Sequence, residues 1–240
     1  MKRRILALLL TAAAVLLSSC GQSPSPAPVS EPSENTGQNP LPESVSEPDP
    51  LPEPEPAPEP AAEDFVPVAD YLPQVRVDLR YAGSDNFTGQ TIYDFTSAYL
   101  RYGTVQKLSQ AQKELEDAGY SLLIWDAFRP VEAQFRLWEV CPDPVYVANP
   151  EKGYSSHSRG NTVDVTLTDL VGNAVEMPSG FDDFSPLADR DYSDVPAEAA
   201  AHAQLLEDVM ASCGFRPYSG EWWHFSDTDE YPVEETFSPD

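Results

Sequence analysis

Apolar and polar positions alternate with a period of two in two stretches of the chain and with a helical period in three more. Gln74 to Tyr81 predicts a strand, because Val75, Val77 and Leu79 interleave with polar neighbours. Thr162 to Leu167 predicts another, with Val163, Val165 and Leu167 on one face and Asp164 and Thr166 on the other. Thr104 to Ala118 predicts a helix. Val105, Leu108, Ala111, Leu115 and Ala118 make its stripe, and Gly119 stands where a C-cap belongs. Pro130 suits the first position of a second helix, with Ala133, Phe135, Leu137 and Trp138 inside. Pro196 to Ser212 predicts a third, carrying Leu205, Leu206, Val209 and Met210, with Gly214 just beyond. Tyr120 to Trp125 is a short apolar run suited to a buried strand, and Phe215 to Phe225 reads as a final aromatic strand. The segments between are rich in turn formers. Strands and helices mix without regular βαβ alternation. This predicts a single α+β domain, its helices packed on a mainly antiparallel sheet.

Two segments fall outside that pattern. Lys2, Arg3 and Arg4 precede an almost wholly apolar run from Ile5 to Leu17, and Leu17-Ser18-Ser19-Cys20 follows. The run is shorter than the roughly 20 residues a spanning helix needs, so residues 1–20 predict a secretory signal. The small residues before Cys20 resemble the lipobox of bacterial lipoproteins, which implies cleavage before Cys20 and a lipid on it. Residues 21–63 hold 13 prolines and 9 acidic residues, with no basic or aromatic side chain. Too little apolar surface is present to offset the entropy of ordering such a segment. It predicts a disordered spacer, reaching on the order of 100 Å where proline keeps it extended. Residues 64–240 remain, enough for one packed core.

Charge narrows the functions open to that domain. It carries 11 basic and 31 acidic side chains, a net charge of −20. An acidic domain repels phosphate backbones, so nucleic acid is not the expected partner. With Cys20 assigned to lipid, Cys141 and Cys213 are left, and either a disulfide or two free thiols suits an exported pair.

The chain has three histidines. His157 sits in Ser155-Ser156-His157-Ser158-Arg159-Gly160, with Asp164 seven residues later, and His224 closes Glu221-Trp222-Trp223-His224. Two imidazoles and one carboxylate leave an open fourth position on a tetrahedral ion, as a catalytic zinc requires. Ser158 to Asn161 can turn the chain, so His157 on a loop and Asp164 on a strand can converge. Glu221 lies three residues before His224, and on one ideal strand the two would face opposite sides. Either a bulge or a strand that begins after Glu221 is needed to bring both to one site. Glu221 could then relay a proton from water to the leaving amine. His202, in a helix with no ligand partner at suitable spacing, reads as an ordinary core or surface residue. Arg129, taken alone, reads as an ion-pair partner of Asp126.

Ser155 to Asp164 resembles the S-x-H-x-x-G-x-x-x-D signature of the zinc D-alanyl peptidases, and Glu221-Trp222-Trp223-His224 resembles their E-x-W-H. The form of both motifs is nearest the D-Ala-D-Ala dipeptidase branch, the VanX type known from vancomycin resistance. Asp85-Asn86-Phe87-Thr88-Gly89, Trp125 to Pro130 and Gly180 to Phe184 extend the likeness, so that it covers about residues 66–232. The resemblance implies zinc on His157, Asp164 and His224, with Glu221 as general base. It implies that Arg129 stabilises the tetrahedral oxyanion, that Asp182 receives the substrate's ammonium group, and that Ser156 helps to bind substrate. The expected activity is hydrolysis of D-Ala-D-Ala or a close D,D-dipeptide by water activated on zinc. The rivals are a D,D-carboxypeptidase trimming peptidoglycan stems and an inactive, zinc-stabilised wall-binding module. The leader and spacer depart from typical cytoplasmic members of the family. They imply a protein anchored to the bacterial membrane through lipid on Cys20 and facing the cell wall.

Overall fold

The computed structural model describes residues 58–239 apart from Val145. The expectations for the leader, for Cys20 and for most of the Pro/Glu-rich segment lie outside the described residues. In chain order the elements are β1 (Phe65–Pro67), α1 (Val68–Tyr71), β2 (Arg76–Val77), β3 (Tyr99–Arg101), α2 (Tyr102–Asp117) and β4 (Tyr120–Asp126). They continue with α3 (Val131–Val140), β5 (Thr162–Asp169), α4 (Ala197–Ser212), β6 (Phe215–Pro217) and β7 (His224–Asp227).

Alternation along the strands gives the main sheet one oily face. Leu122 and Ile124 of β4, Val163, Val165 and Leu167 of β5, and Phe225 of β7 are at most 1% exposed. Helices α2 and α4 pack on the sheet and on each other. They contribute Val105, Leu108, Ala111 and Leu115 from α2, and Ala203, Leu206 and Met210 from α4. Gly119, at φ 93°, ends α2 in the left-handed region, which a side chain would resist. The strand order is β2-β4-β5-β7-β6, and every pairing is antiparallel except β2 with β4. The fold is the expected α+β arrangement, with β1 and β3 as a separate antiparallel pair.

Three details differ from the sequence pattern. The alternating stretch Gln74 to Tyr81 pairs only at Arg76–Val77 and then coils into a 3-10 turn at Arg80–Ala82. The aromatic stretch Phe215 to Phe225 is a hairpin, because residues 218–223 turn between β6 and β7. The packed structure also begins before Asp64. Gly103 N–H donates to Ala62 O at 3.0 Å, and the Arg101 guanidinium donates to Glu63 O at 2.7 Å. Buried donors at Gly103 and Arg101 need acceptors, and the backbone just upstream of Asp64 supplies them.

Arg101 does more than hold that junction. Its guanidinium also donates to Arg159 O at 3.0 Å and Pro232 O at 3.3 Å, and lies over the Phe65 ring. Beside it, Glu234 N–H donates to Ser158 O at 2.8 Å, and Phe237 stacks on Phe65. Three distant segments are thereby knotted at one buried cation. Cys141 and Cys213 are both free thiols.

Candidate active site

The face of the sheet away from α2 and α4 is polar, and strand register sets what it carries. Asp164 of β5 stands directly opposite His224 of β7. On the other side of β5, the β4 register slips between Ile124 and Asp126, so that Asp126 also stands opposite Asp164. Without this bulge Asp126 would share the face of Ile124, against the helices. Bulges re-aim side chains in this way.

His157 arrives on a short turn. Ser155 Oγ accepts from His157 N–H at 3.3 Å, and Gly160, at φ 73°, closes the turn. A Cβ at Gly160 would run into the Phe65 ring, so both backbone and space demand glycine there. His157 Nδ1 lies 2.8 Å from Ala127 O. A carbonyl only accepts, so Nδ1 carries the proton and the Nε2 lone pair is free. That Nε2 faces Asp164 Oδ2 at 3.4 Å, while His224 Nδ1 faces Asp164 Oδ1 at 3.0 Å.

The three ligand-type atoms all lie within 4.8 Å of one another. Asp164 Oδ1 is buried and finds no hydrogen-bond partner among the described residues, despite its short approach to His224. An orphaned carboxylate oxygen between two imidazole nitrogens fits a divalent cation better than it fits a dry protein core. Burial opposes ionisation of Asp164, but the His157 and His224 rings hold its carboxyl below the usual range.

Glu221 reaches the same point as the sequence required. β7 starts only at His224, and the preceding turn brings Glu221 Oε2 to 3.5 Å from His224 Nδ1. The turn is anchored by Trp222 and Trp223, at most 1% exposed, and by Trp222 N–H donating to Ala188 O. Burial raises the Glu221 carboxyl to about 6, against the pull of the His224 ring. His202 lies elsewhere, buried between Tyr120 Oη and Glu176 O, as an ordinary core histidine.

A cavity of about 420 Å³ is lined by the three candidate ligands together with Glu221, Arg129, Asp182 and Ser156. Arg129 makes the ion pair with Asp126, at 2.6 Å, and lines the cavity as well. Its other held donors go to Gln134 Oε1 and Tyr93 Oη. Three of five N–H groups are thus committed and two are left. Asp182 accepts from Tyr81 Oη at 2.7 Å and has φ 52°, a conformation that few residues other than glycine adopt. Ser156 Oγ is 3.4 Å from His224 Nε2.

Known proteins agree with this geometry. The family model described as D-ala-D-ala dipeptidase, of the M15 peptidases, matches residues 61–239. The chain belongs to the D-Ala-D-Ala dipeptidase family. The D-alanyl-D-alanine dipeptidase of Escherichia coli K12 is 38% identical over 162 residues, 68% of this chain and 83% of that one. Proteins of the same name from Streptomyces coelicolor and Enterococcus faecalis are 36% and 35% identical. Each match covers 70% of this chain, and 93% and 94% of the respective relative. A solved structure titled "VanYB in complex with D-Alanine-D-Alanine" aligns over 55% of this chain and 73% of its own. Its TM-score of 0.38 and 14% identity are too low to bear on fold or substrate.

Sequence patterns alone did not single out every group in this dipeptidase-family site. Asp126 enters through the bulge, where it holds Arg129 and accepts from Tyr93 Oη at 2.8 Å. Tyr81 enters because its strand breaks into a turn. Its one advance signal was position, in the polar loop that begins the Asp85-to-Gly89 likeness.

The Asp182 carboxyl is raised to about 7, chiefly by burial, with Asp164 and Asp126 adding to the rise. The folded state therefore keeps a proton that the unfolded chain sheds near 4. Metal-free protein should lose stability as pH rises from about 4 to 7, because over that window the native state binds more protons. Asp182→Asn should flatten this part of the profile. Melting temperature against pH for the two metal-free proteins is the check, and parallel profiles would contradict the assignment.

Proposed function

We propose that this protein is a zinc metallopeptidase that hydrolyses free D-Ala-D-Ala or a close D,D-dipeptide. The observation that carries the reading is one cavity holding an orphaned Asp164 oxygen between two imidazoles, with Glu221 and Arg129 on its walls. Neither Glu221 nor Arg129 is needed for a purely structural ion, which favours an enzyme over an inert wall-binding module. His157, Asp164 and His224 would hold the zinc. When bound, the ion supplies a Lewis acid for the scissile carbonyl and makes water more acidic.

The remaining chemistry belongs to side chains of this chain. Glu221 takes a proton from the attacking water and returns it to the leaving amine, and its raised carboxyl suits that exchange. Arg129 presents its two uncommitted N–H groups to the oxyanion, kept in place by Asp126, Gln134 and Tyr93. Asp182, oriented by Tyr81, receives the substrate's ammonium group, and Ser156 contributes a hydroxyl beside His224. We further propose that the protein works outside the membrane, held by lipid on Cys20 and spaced from it by the Pro/Glu-rich segment. Its support is the basic-apolar-cysteine order of the leader.

Three measurements test this reading. For substrate, kcat/KM on D-Ala-D-Ala should exceed that on acetyl-D-Ala-D-Ala by roughly 30- to several-thousand-fold, since acetylation removes a charge that pairs with Asp182. Equal rates, or equal cleavage of a stem pentapeptide, would replace the dipeptidase reading with a D,D-carboxypeptidase. For mechanism, Glu221→Gln should keep its zinc and lose roughly 10²- to 10⁴-fold in kcat, whereas His224→Ala should lose the zinc itself. Metal content and turnover on one preparation separate base from ligand. For placement, Cys20→Ala should move the protein from the membrane fraction to the soluble one, and unchanged fractionation would remove the anchor.

A further inference from the structure

The described residues include eight arginines, and seven of them donate to a carboxylate or a carbonyl. The eighth is Arg216, exposed on β6, with no hydrogen bond or ion pair among the described residues. It is a lone guanidinium on the wall of an acidic domain's main cavity.

Strand register fixes which way it faces. Arg216 stands opposite Ser226 of β7, and Ser226 stands opposite Thr162 of β5. Side chains directly opposite share a face of the sheet, and Thr162 Oγ1 meets Ser226 Oγ at 2.9 Å. Two residues back along β7 and two forward along β5 are His224 and Asp164, on that same face. Arg216 thus belongs to the cross-strand row next to the metal-ligand row, about 7 Å away along the strands. An arginine side chain spans such a gap.

Position along the cavity adds the second argument. A smaller cavity of about 260 Å³ adjoins the main one, and both are lined by Arg216, Ser156 and Ser226. Asp182, Tyr81 and Arg129 line only the main cavity. Arg216 therefore marks the end of the main cavity away from Asp182. One end is acidic, the candidate ligands lie between, and the other end is basic.

We propose that Arg216 binds the free carboxylate of the substrate's C-terminal residue. Its guanidinium, with the Ser156 hydroxyl, would form the counterpart of the Asp182 ammonium site. This rests on the peptidase reading above and extends it to a second specificity determinant. In a dipeptide the carboxylate lies one residue beyond the scissile carbonyl, about 3.5 Å further along the chain. A zwitterion of that length matches a site with opposite charges at its two ends. Arg129 is unsuited to the task, because Asp126 already neutralises it.

The test pairs a change in the substrate with a change in the protein. Zinc-loaded full-length protein is assayed on D-Ala-D-Ala and on its C-terminal amide. Wild type should favour the acid by about 10- to 100-fold in kcat/KM, the scale of a charge-assisted hydrogen bond. Arg216→Met should lower kcat/KM for the acid by a similar factor, mainly through KM, and leave the amide almost unchanged. Arg216→Lys should restore part of the preference, since it keeps the charge and loses the fork. A merely structural role for Arg216 would lower both substrates together. An acid preference that survives in Arg216→Met, or that wild type lacks, overturns the proposal. Calorimetric binding of the acid and the amide to wild type and Arg216→Met gives the same comparison without turnover. If neither compound is hydrolysed, the activity fails, and calorimetry alone then decides the subsite.

Discussion

Asp164 is a carboxylate held almost wholly out of water, with His157 on one side and His224 on the other. A buried carboxylate is tolerated only where opposite charge or hydrogen bonds replace its lost hydration. The register of β5 against β7 brings His224 opposite, and the turn closed by Gly160 brings His157 alongside. Even so, one carboxylate oxygen stays unbonded. The rest of the domain can be understood as the means of keeping that oxygen and the two imidazoles within reach of one another.

The sheet does this by dividing labour between its faces. One face is driven against α2 and α4 by aliphatic side chains that water hardly touches, and this fixes the strands. The other face is then free to carry groups that would be destabilising in a core. The bulge after Ile124 moves Asp126 from the first face to the second. Asp126 in turn fixes Arg129, and Tyr93 fixes both. Rigidity here descends from packing through hydrogen bonds to the side chains that meet a substrate.

Much of this was readable in advance, and the reason is local. His157, Asp164, Glu221 and His224 lie in two short motifs, and alternation in Thr162 to Leu167 already placed Asp164 off the oily face. Gly119 and Gly160 mark their turns by backbone freedom alone. Other features depend on segments far apart in sequence. No pattern within Tyr120 to Asp126 announces a bulge, since it arises from pairing with β5. No pattern within Phe215 to Phe225 announces a hairpin, since aromatic residues suit strand and buried turn equally. Arg101 looked like any surface cation until three carbonyls from Glu63, Arg159 and Pro232 were seen to share it.

That knot bears on the order in which the molecule can assemble. The turn carrying His157 is held by Arg101 from one side and by Tyr231 O and Glu234 N–H from another. These contacts span 58 and about 70 residues of chain. Contacts so distant in sequence close late, after local helices and hairpins have formed. The turn acquires its full set of restraints only once residues 231–234 have docked. A chain lengthening from its N-terminus will have packed α2, β4 and β5 well before then. Ion capture by His157, Asp164 and His224 is accordingly an event of completed folding, so a half-made chain offers stray metal no finished trap.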